Sequence, residues 1–381
     1  MTRRVLFVNH TGELGGAELT LLPLAHRYRD SCVVALLQDG PLRQRLAASG
    51  VSVKLIAESA RMLSVSRQGG ILSALGAIPS VALAVWRVAR FAREFDILYA
   101  NSQKAAVVAL AAGLVLRKPV IWYLHDILSA DHFAVAQRRV VTVLANLAAR
   151  SVIANSTESA AAFVAGGGNP RLVTIAPSGV DPVPFDLVSP TDISSVRREI
   201  GMGDGPLIGL FGRLCPWKGQ HVVIDALSRL GAAHAMIVGD ALFGEQAYRT
   251  ALLSRAEALG LSGRLHWLGF RDDIPRLMRA SDVVIHSSVA PEPYGRVIVE
   301  AMMARRPVIA SLHGASAELL GARYPYLVHP GDPAALAAAI DQILSESPAR
   351  IAHLVAANYE RACALFSTQR MFDEIDRALA A

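Results

Sequence analysis

Short apolar runs rich in β-branched residues alternate with longer helical patterns along almost the whole chain. Runs that are apolar at every position, rather than at every second one, are typical of strands buried on both faces. Such strands, when helices separate them, predict a parallel sheet that is covered by helices on both sides. The chain is therefore expected to belong to the α/β class.

The alternation stops once and then restarts, which predicts two doubly wound domains. A Pro- and Asp-rich stretch at 181–192 separates the two series, and a length of 381 residues also favours two domains. We place the domains at 1–190 and 191–365, and we expect their sheets to face each other across a ligand cleft. The strand candidates are 4–9, 32–38, 51–57, 95–101, 119–125, 151–156 and 172–178, then 206–212, 234–240, 264–270, 282–288 and 306–311.

Composition and charge limit the cellular compartments and the binding partners that can be expected. The three cysteines are far apart and form no CxxC pair, and the N-terminus lacks a signal-peptide core, so we expect a cytoplasmic protein. Residues 1–190 hold 19 Lys and Arg against 12 Asp and Glu, a balance of +7 within a net charge of +6. Aromatic interleaving and a helix-turn-helix pattern are missing, so no nucleic-acid partner is expected. An anionic membrane or acidic acceptor fits better, with a solvated basic face as the alternative.

The segment 69–86 contains no charged residue and approaches the length of a membrane span. Pro79 and several small residues interrupt it, and three arginines follow at helical spacing. We favour a buried or cleft-flanking helix pair over a peripheral membrane-docking helix, and both over a true span, which would divide a sheet domain between two compartments.

The segment EPYGRVIVE, from Glu292 to Glu300, offers the strongest chemical pattern. Glu292 should lie in the loop after a strand, and a helix should start near Gly295 or Arg296, with Glu300 in its second turn. The start of a helix binds anions, and carboxylates accept hydrogen bonds from vicinal hydroxyls, so this layout suits a nucleotide diphosphate-sugar. The alternative is a surface helix with two unrelated glutamates.

Three further segments lie at predicted strand ends. In FGRLCPWKG, Arg213 and Lys218 could clamp a diphosphate, or they could be two solvated cations. Gly15 and Gly16 allow close backbone approach, although their spacing does not match the dinucleotide fingerprint GxGxxG. His125 in YLHD could bind a substrate, or it could be a half-buried histidine satisfied by the backbone.

In this order and spacing, these segments resemble the retaining glycosyltransferases of family 4 (glycosyl transferases group 1), which have the GT-B fold with two Rossmann-like domains. The resemblance spans nearly the whole chain and is most specific in the glutamate-seven-residues-glutamate motif with the Arg-Lys loop upstream. It is carried by GGAE (15–18), LHD (124–126), SGVD (178–181), FGRLCPWKG (211–219), IVGD (237–240), WLGF (267–270) and EPYGRVIVEAM (292–302).

The resemblance implies a role for each part of the site. The first domain would bind the acceptor and the second a UDP- or GDP-linked sugar, with Glu300 on the ribose and Glu292 on sugar hydroxyls. His125 would lie by the reacting carbon, and Arg213 and Lys218 would neutralise the leaving diphosphate. The remaining donor-binding positions would be Gly15, Gly16, Phe270, Arg271, Asp272, Tyr294, Gly295, Arg296 and Val297.

The expected activity is a retaining hexosyltransferase that needs no metal ion or other cofactor. Fixed cations and a helix start can stabilise a leaving diphosphate, and no DxD motif is found. Glu292 is expected to position the sugar rather than to act as a nucleophile. The C-terminal helix, 366–381, is expected to pack back on the first domain, as is common in GT-B chains.

Two positions depart from the family pattern. Arg305, at an expected helix C′ position, replaces a usual glycine, and Gly314-Ala315 replaces a usual glycine pair. The competing functions are a GT-B sugar-nucleotide epimerase and a non-catalytic sugar-nucleotide-binding protein. A glycan or lipid-linked acceptor at the inner face of the cytoplasmic membrane would fit the basic first domain.

Overall fold

Both halves of the chain build the parallel sheets that the alternating pattern predicts, which confirms the α/β class. The computed structural model describes residues 3–56, 71–129, 133–203, 205–242 and 244–380. The chain forms two units: unit 1 comprises Met1–Gly179 and Thr368–Ala381, and unit 2 comprises Val180–Ser367. Each sheet has the doubly wound topology that the GT-B resemblance implies.

The sheet of unit 1 is parallel throughout, and its order is β3-β2-β1-β4-β5-β6-β7. Its strands are β1 (Val5–Asn9), β2 (Cys32–Leu36), β3 (Val53–Leu55), β4 (Ile97–Ala100), β5 (Val120–Leu124), β6 (Ala149–Ala154) and β7 (Val173–Ile175). In β1, Val5 and Phe7 enter one core and Leu6 and Val8 the other, because successive side chains point to opposite faces. A strand that is buried on both sides must be apolar throughout, which explains the sequence pattern.

Helices cover both faces of this sheet. They are α1 (Gly16–Arg27), α2 (Pro41–Ala48), α3 (Ile71–Ala92), α4 (Gln103–Leu116), α5 (Val135–Ala148), α6 (Thr157–Ala165) and, at the end of the chain, α16 (Thr368–Ala380). α1, α2 and α16 share one core, and α3 to α6 share the other. Residues from the far end of the chain therefore complete the first unit.

Unit 2 repeats the plan with the sheet order β10-β9-β8-β11-β12-β13, again parallel. Its strands are β8 (Leu207–Phe211), β9 (His234–Val238), β10 (Leu265–Gly269), β11 (Val283–His286), β12 (Val308–Ser311) and β13 (Leu327–Val328). Its helices are α7 (Val183–Asp186), α8 (Pro190–Glu199), α9 (Gln220–Leu227), α10 (Gln246–Ala258), α11 (Ile274–Ala280), α12 (Arg296–Met303), α13 (Ser316–Leu320), α14 (Pro333–Ser345) and α15 (Pro348–Phe366).

Three details differ from the sequence-based expectation. The units divide at 179/180 rather than 190/191, because the Pro- and Asp-rich stretch folds into α7 and α8 of unit 2. The two-residue strand β13 is too short to show a pattern. The described part of 69–86 lies in one helix, α3, and not in a helix pair, although residues 69 and 70 are outside the described residues.

No helix within the described residues is long and apolar enough to cross a membrane. Pro79 lies inside α3 and is exposed. A proline removes one backbone hydrogen bond from a helix, and exposure lets water satisfy the carbonyl that is left unpaired. The proline therefore does not divide this segment into the expected helix pair.

The contribution of α16 to unit 1 can be measured by truncating one core side chain. Ile375 is fully buried, at 0% exposure, against the sheet. Ile375→Ala should lower the free energy of unfolding by about 2–4 kcal/mol. In a chemical denaturation experiment, the control Arg377→Ala should change it by less than about 0.5 kcal/mol, since that side chain is 64% exposed. Equal effects of the two variants would contradict the packing of α16.

Candidate functional site

The carboxylate of Glu292 lies among polar side chains at the carboxyl end of β11. Its Oε1 accepts hydrogen bonds from Nζ of Lys218 and from the hydroxyl of Ser288. The same oxygen lies 3.0 Å from Nε2 of His286, the last residue of the strand. Only 7% of the Glu292 side chain is exposed, so these three groups replace the water that a carboxylate needs.

Glu292 is ionised in these surroundings. Burial raises its pKa, but the charge of Lys218 and the contacts with His286 outweigh burial, and the pKa lies well below the ordinary value of 4.5. A group with a lowered pKa stabilises the fold above its unfolded pKa and loses that contribution as the pH falls. The buried carboxylate therefore contributes stability to unit 2 at neutral pH but not in strong acid.

The loop that carries Lys218 is tied to the loop that carries Glu292 by backbone contacts. The hydroxyl of Ser287 donates to the carbonyl of Lys218 at 2.9 Å, and the N–H of Val289 donates to the carbonyl of Trp217 at 2.8 Å. Gly219 has φ +70°, and a Cβ there would lie 2.0 Å from the Ser287 carbonyl oxygen. Only glycine allows the two loops to approach this closely.

Trp217 lies beside both cations of its loop. Cζ of Arg213 is 5.9 Å, and Nζ of Lys218 4.7 Å, from the centroid of the indole ring. The face of an indole ring attracts cations without neutralising them. The loop thus holds two positive groups beside one ring at the carboxyl edge of the sheet, the edge at which parallel α/β sheets bind ligands.

The helix start between the two glutamates is formed as the sequence predicts. Gly295 is the N-cap of α12 with φ +82°, and Glu300 lies in the second turn of the helix. The N-terminus of this helix carries a partial positive charge that favours an anion. Nε of Arg296 binds Oε1 of Glu300 at 2.7 Å, which fixes the direction of that carboxylate. Tyr294 packs its ring edge-on against Phe366 in the core.

The turn after β10 carries the positions expected to meet a nucleotide base. Phe270 is 58% exposed. The side chain of Arg271 pairs with Asp273 at 2.8 Å and also with Glu199, so it anchors the turn to the end of α8. An anchored turn next to an exposed aromatic ring offers main-chain groups and a flat face to a ligand. Asp272 lies between Arg271 and Asp273 in the same turn.

Unit 1 holds His125 directly after β5. Its Nε2 lies 3.3 Å from Oδ1 of Asn101, and its ring centroid lies 4.1 Å from that of Tyr123. Burial lowers the pKa of His125 to about 3, so the imidazole is neutral at physiological pH. A neutral imidazole can both donate and accept a hydrogen bond, which suits contact with a hydroxyl group.

Gly15 and Gly16 begin α1 and are both exposed. The N–H of Gly15 donates to Oε2 of the buried Glu18 at 3.2 Å, and Nδ2 of Asn9 donates to Oε1 at 3.1 Å. Burial raises the pKa of Glu18, although these hydrogen bonds partly oppose that effect. A Cβ at Gly16 would meet nothing within 4 Å, so this turn is open to a ligand.

The structure thus brings Lys218 and Glu292 into contact within unit 2, with Arg213 on the same loop as the lysine. Glu300 pairs with Arg296 instead, and Gly15, Gly16 and His125 belong to unit 1. His286, Ser288, Asn101 and Glu18 also contact site residues and were missed from the sequence. Three of them follow or end a strand, so the rule that ligands bind at the carboxyl ends of parallel strands would have selected them.

The two departures from the family pattern are also placed by the structure. Arg305 takes the predicted C′ position with φ +52°. Its Cζ stacks 3.5 Å from the centroid of the Tyr359 ring, and its guanidinium lies 3.5 Å from Asp186, and these contacts offset the strain of the left-handed backbone. Gly314 has φ +57°, and a Cβ there would lie 2.4 Å from the Glu292 carbonyl oxygen.

Gly314 should therefore be more sensitive to substitution than a left-handed glycine that has open space around it. Gly314→Ala should displace the backbone of Glu292 and lower the melting temperature. The control is Gly260→Ala, since Gly260 has φ +65° but open space around it. Both variants share a strain of about 1 kcal/mol, and only Gly314→Ala adds the clash. Equal melting temperatures in thermal unfolding would show that this close approach is unimportant.

Two family descriptions match consecutive parts of the chain. "Glycosyltransferase Family 4" matches residues 42–183, and "Glycosyl transferases group 1" matches residues 193–360. The 2-deoxystreptamine glucosyltransferase of Streptomyces kanamyceticus is 31% identical over 231 residues, which are 57% of this chain and 58% of the relative. The lipopolysaccharide core biosynthesis glycosyltransferase LpsE of Rhizobium meliloti is 32% identical over 178 residues, 46% and 50% of the two chains. The chain thus spans about half the length of the curated relatives it matches.

A solved structure matches over the full length. HepE of Anabaena, crystallised in complex with UDP-glucose, is 38% identical to this chain, with a TM-score of 0.90 and coverage of 100% of both chains. The complex of the same protein with UDP and glucose matches equally well. With a family match in each unit and this full-length relative, the chain belongs to glycosyltransferase family 4, the glycosyl transferases group 1.

Proposed function

We propose that this protein transfers a hexose from a UDP-sugar to a glycan, glycolipid or small-molecule acceptor, with retention of the anomeric configuration. The observation that carries the proposal is the arrangement in unit 2 of two cations, a helix start and the buried carboxylate of Glu292. HepE binds UDP and UDP-glucose, and this likeness favours UDP over GDP as the donor nucleotide.

Each part of a UDP-sugar has a complementary group in the proposed complex. Arg213, Lys218 and the N–H groups of residues 295–297 receive the diphosphate, and Glu300 binds the ribose hydroxyls. Glu292 receives sugar hydroxyls, because a carboxylate accepts hydrogen bonds from two neighbouring hydroxyls. The main chain of residues 270–272 meets the uracil. His125, Gly15 and Gly16 are proposed to act on the same donor from unit 1.

We propose that the reaction needs no metal ion, because fixed cations and a helix start can stabilise the leaving diphosphate. Among the described residues, no group of three or more His, Cys, Asp or Glu side chains could hold a metal. The assay is UDP release with acceptor present, in EDTA and then with added Mg²⁺ or Mn²⁺. Equal rates support the proposal, whereas a rate that appears only with metal would refute metal independence.

The site residues are tested by Lys218→Ala and Glu300→Ala. The lysine variant should lower kcat about 100-fold or more, because it removes charge stabilisation of the leaving group. The glutamate variant should weaken UDP binding about 10- to 100-fold. Glu257→Ala, an exposed position of α10, is the control and should behave like the wild type.

Rates within a few-fold of wild type for both Lys218→Ala and Glu300→Ala would rule out this site assignment. An epimerase would convert the donor sugar without acceptor-dependent UDP release. A non-catalytic binding protein would bind UDP-sugar without turnover. The anomeric configuration of the product, measured by NMR, tests retention directly.

We further propose a lipid-linked or anionic glycan acceptor and peripheral contact with the inner face of the cytoplasmic membrane. The support lies in three neighbouring helices of unit 1, since α3 packs beside α4 and α4 beside α5. None of the three contains Asp or Glu, and together they carry five Lys and Arg residues. Among the side chains of these helices that the structure describes, the exposed large apolar ones are Ile78, Leu83, Trp86, Leu114, Val115, Val135, Val140, Val143 and Leu147.

An apolar and basic surface is complementary to an anionic bilayer. Apolar side chains enter the headgroup region, while Arg and Lys meet lipid phosphates. A second copy of the same face is a poorer partner, because pairing would bring like charges together. Trp86, which is 58% exposed beside Arg90, combines the two properties at one place.

Flotation with phosphatidylglycerol-containing vesicles and with neutral vesicles tests this face. The wild type should float with the anionic vesicles, and Val143→Asp should reduce the bound fraction several-fold, since Val143 is 55% exposed on α5. Leu253→Asp is the matched control on α10 of unit 2, where the leucine is 37% exposed. Failure to float with either vesicle, or equal loss in both variants, would remove the support for membrane contact.

A further inference from the structure

We propose that His286 is a positioning residue that keeps the carboxylate of Glu292 in place after the donor diphosphate has drawn Lys218 away. The inference rests on the proposed function, since it takes Lys218 as a phosphate ligand. It goes further by separating the groups that hold Glu292 in the free protein from those that hold it in the donor complex.

His286 is rigidly placed. It ends β11, which pairs with β8 on one side and β12 on the other, and its backbone is in register with Ala310. Its side chain is 4% exposed. A Cβ built on Gly295 would lie 3.6 Å from its Nε2, so the start of α12 packs close to the ring. The ring therefore lacks the freedom of a surface side chain.

The contact with Glu292 fixes which ring nitrogen carries hydrogen. Oε1 of Glu292 belongs to an ionised carboxylate, so Nε2 of His286 must be the donor at 3.0 Å. Nδ1 of the ring is buried and has no hydrogen-bond partner among the described residues. A second N–H at that position would be buried without an acceptor, which is costly. The geometry therefore places a hydrogen on Nε2.

Three groups share Oε1 in the free protein, and they differ in how easily they leave. Lys218 has a flexible side chain with a compact charge, and a diphosphate competes for it with more negative charge than one carboxylate offers. His286 ends the strand and Ser288 follows just after it, so both donors are held by the backbone of β11. When the lysine turns to the phosphates, these two donors remain on Oε1 and preserve the direction in which the carboxylate faces.

This exchange of partners predicts which measurements should change when His286 is lost. UDP alone has no sugar to meet Glu292, so its affinity does not depend on the orientation of that carboxylate. The affinity for UDP-glucose and the rate of the reaction, by contrast, both depend on the orientation of that carboxylate. A residue that merely stabilises the fold would affect both ligands alike.

The experiment compares His286→Leu, which removes the donor, with His286→Gln, whose side-chain N–H can replace Nε2–H. Titration calorimetry with UDP and with UDP-glucose, and kcat/KM with acceptor, are measured for both. For His286→Leu, UDP should bind within about twofold of wild type, while UDP-glucose affinity and kcat/KM should fall about 10- to 100-fold. His286→Gln should recover most of that loss. His234→Leu and His234→Gln, at a histidine of the same sheet outside the site, are the controls and should match the wild type.

Unchanged UDP-glucose affinity and kcat/KM in His286→Leu would overturn the proposal. So would a parallel loss of UDP and UDP-glucose binding together with a lower melting temperature, which would show a structural role. If the wild type binds neither ligand, the proposed function itself fails, and ¹⁵N NMR of histidine in the free protein still tests the geometry. Hydrogen on Nδ1 alone at neutral pH would then contradict the positioning role, because Nε2 could no longer donate to Glu292.

Discussion

A carboxylate that is almost fully enclosed can remain ionised only if protein donors replace its water, and Glu292 imposes this requirement on unit 2. Lys218 comes from one loop, and His286 and Ser288 come from the end of β11, so one oxygen atom joins two segments that are about 70 residues apart in the chain. The close approach of these segments requires backbone without side chains. Gly219 and Gly314 meet that need, each in a left-handed conformation against a neighbouring carbonyl.

The parts of this arrangement that depend on local chemistry could be predicted from the sequence. The N-cap at Gly295, the second-turn position of Glu300 and the C′ position of Arg305 each follow from residues within one or two helical turns. The buried strands could also be predicted from the sequence, because a strand covered on both faces must be apolar throughout. The family resemblance then joined these local features into a predicted donor site.

The parts that depend on distant residues could not be predicted in this way. No pattern in the chain shows that Lys218 and His286 meet on the same oxygen of Glu292, since only the folded sheet brings those segments together. Short elements could not be predicted either, because a strand of two residues such as β13 is too short to show a periodic pattern. Pro79 was misleading for a physical reason: an exposed proline leaves an unpaired carbonyl that water can satisfy, so the helix continues through it.

The return of the chain to unit 1 has a consequence for biosynthesis. One core of unit 1 contains Met371 and Ile375 of α16, and these residues leave the ribosome only after all of unit 2 has been made. Until then, the nascent first unit presents the bare apolar side of its sheet and of α1 and α2. Unit 2, by contrast, is continuous in sequence, so the unit that begins first along the chain cannot be completed before the last residues of the other have been made.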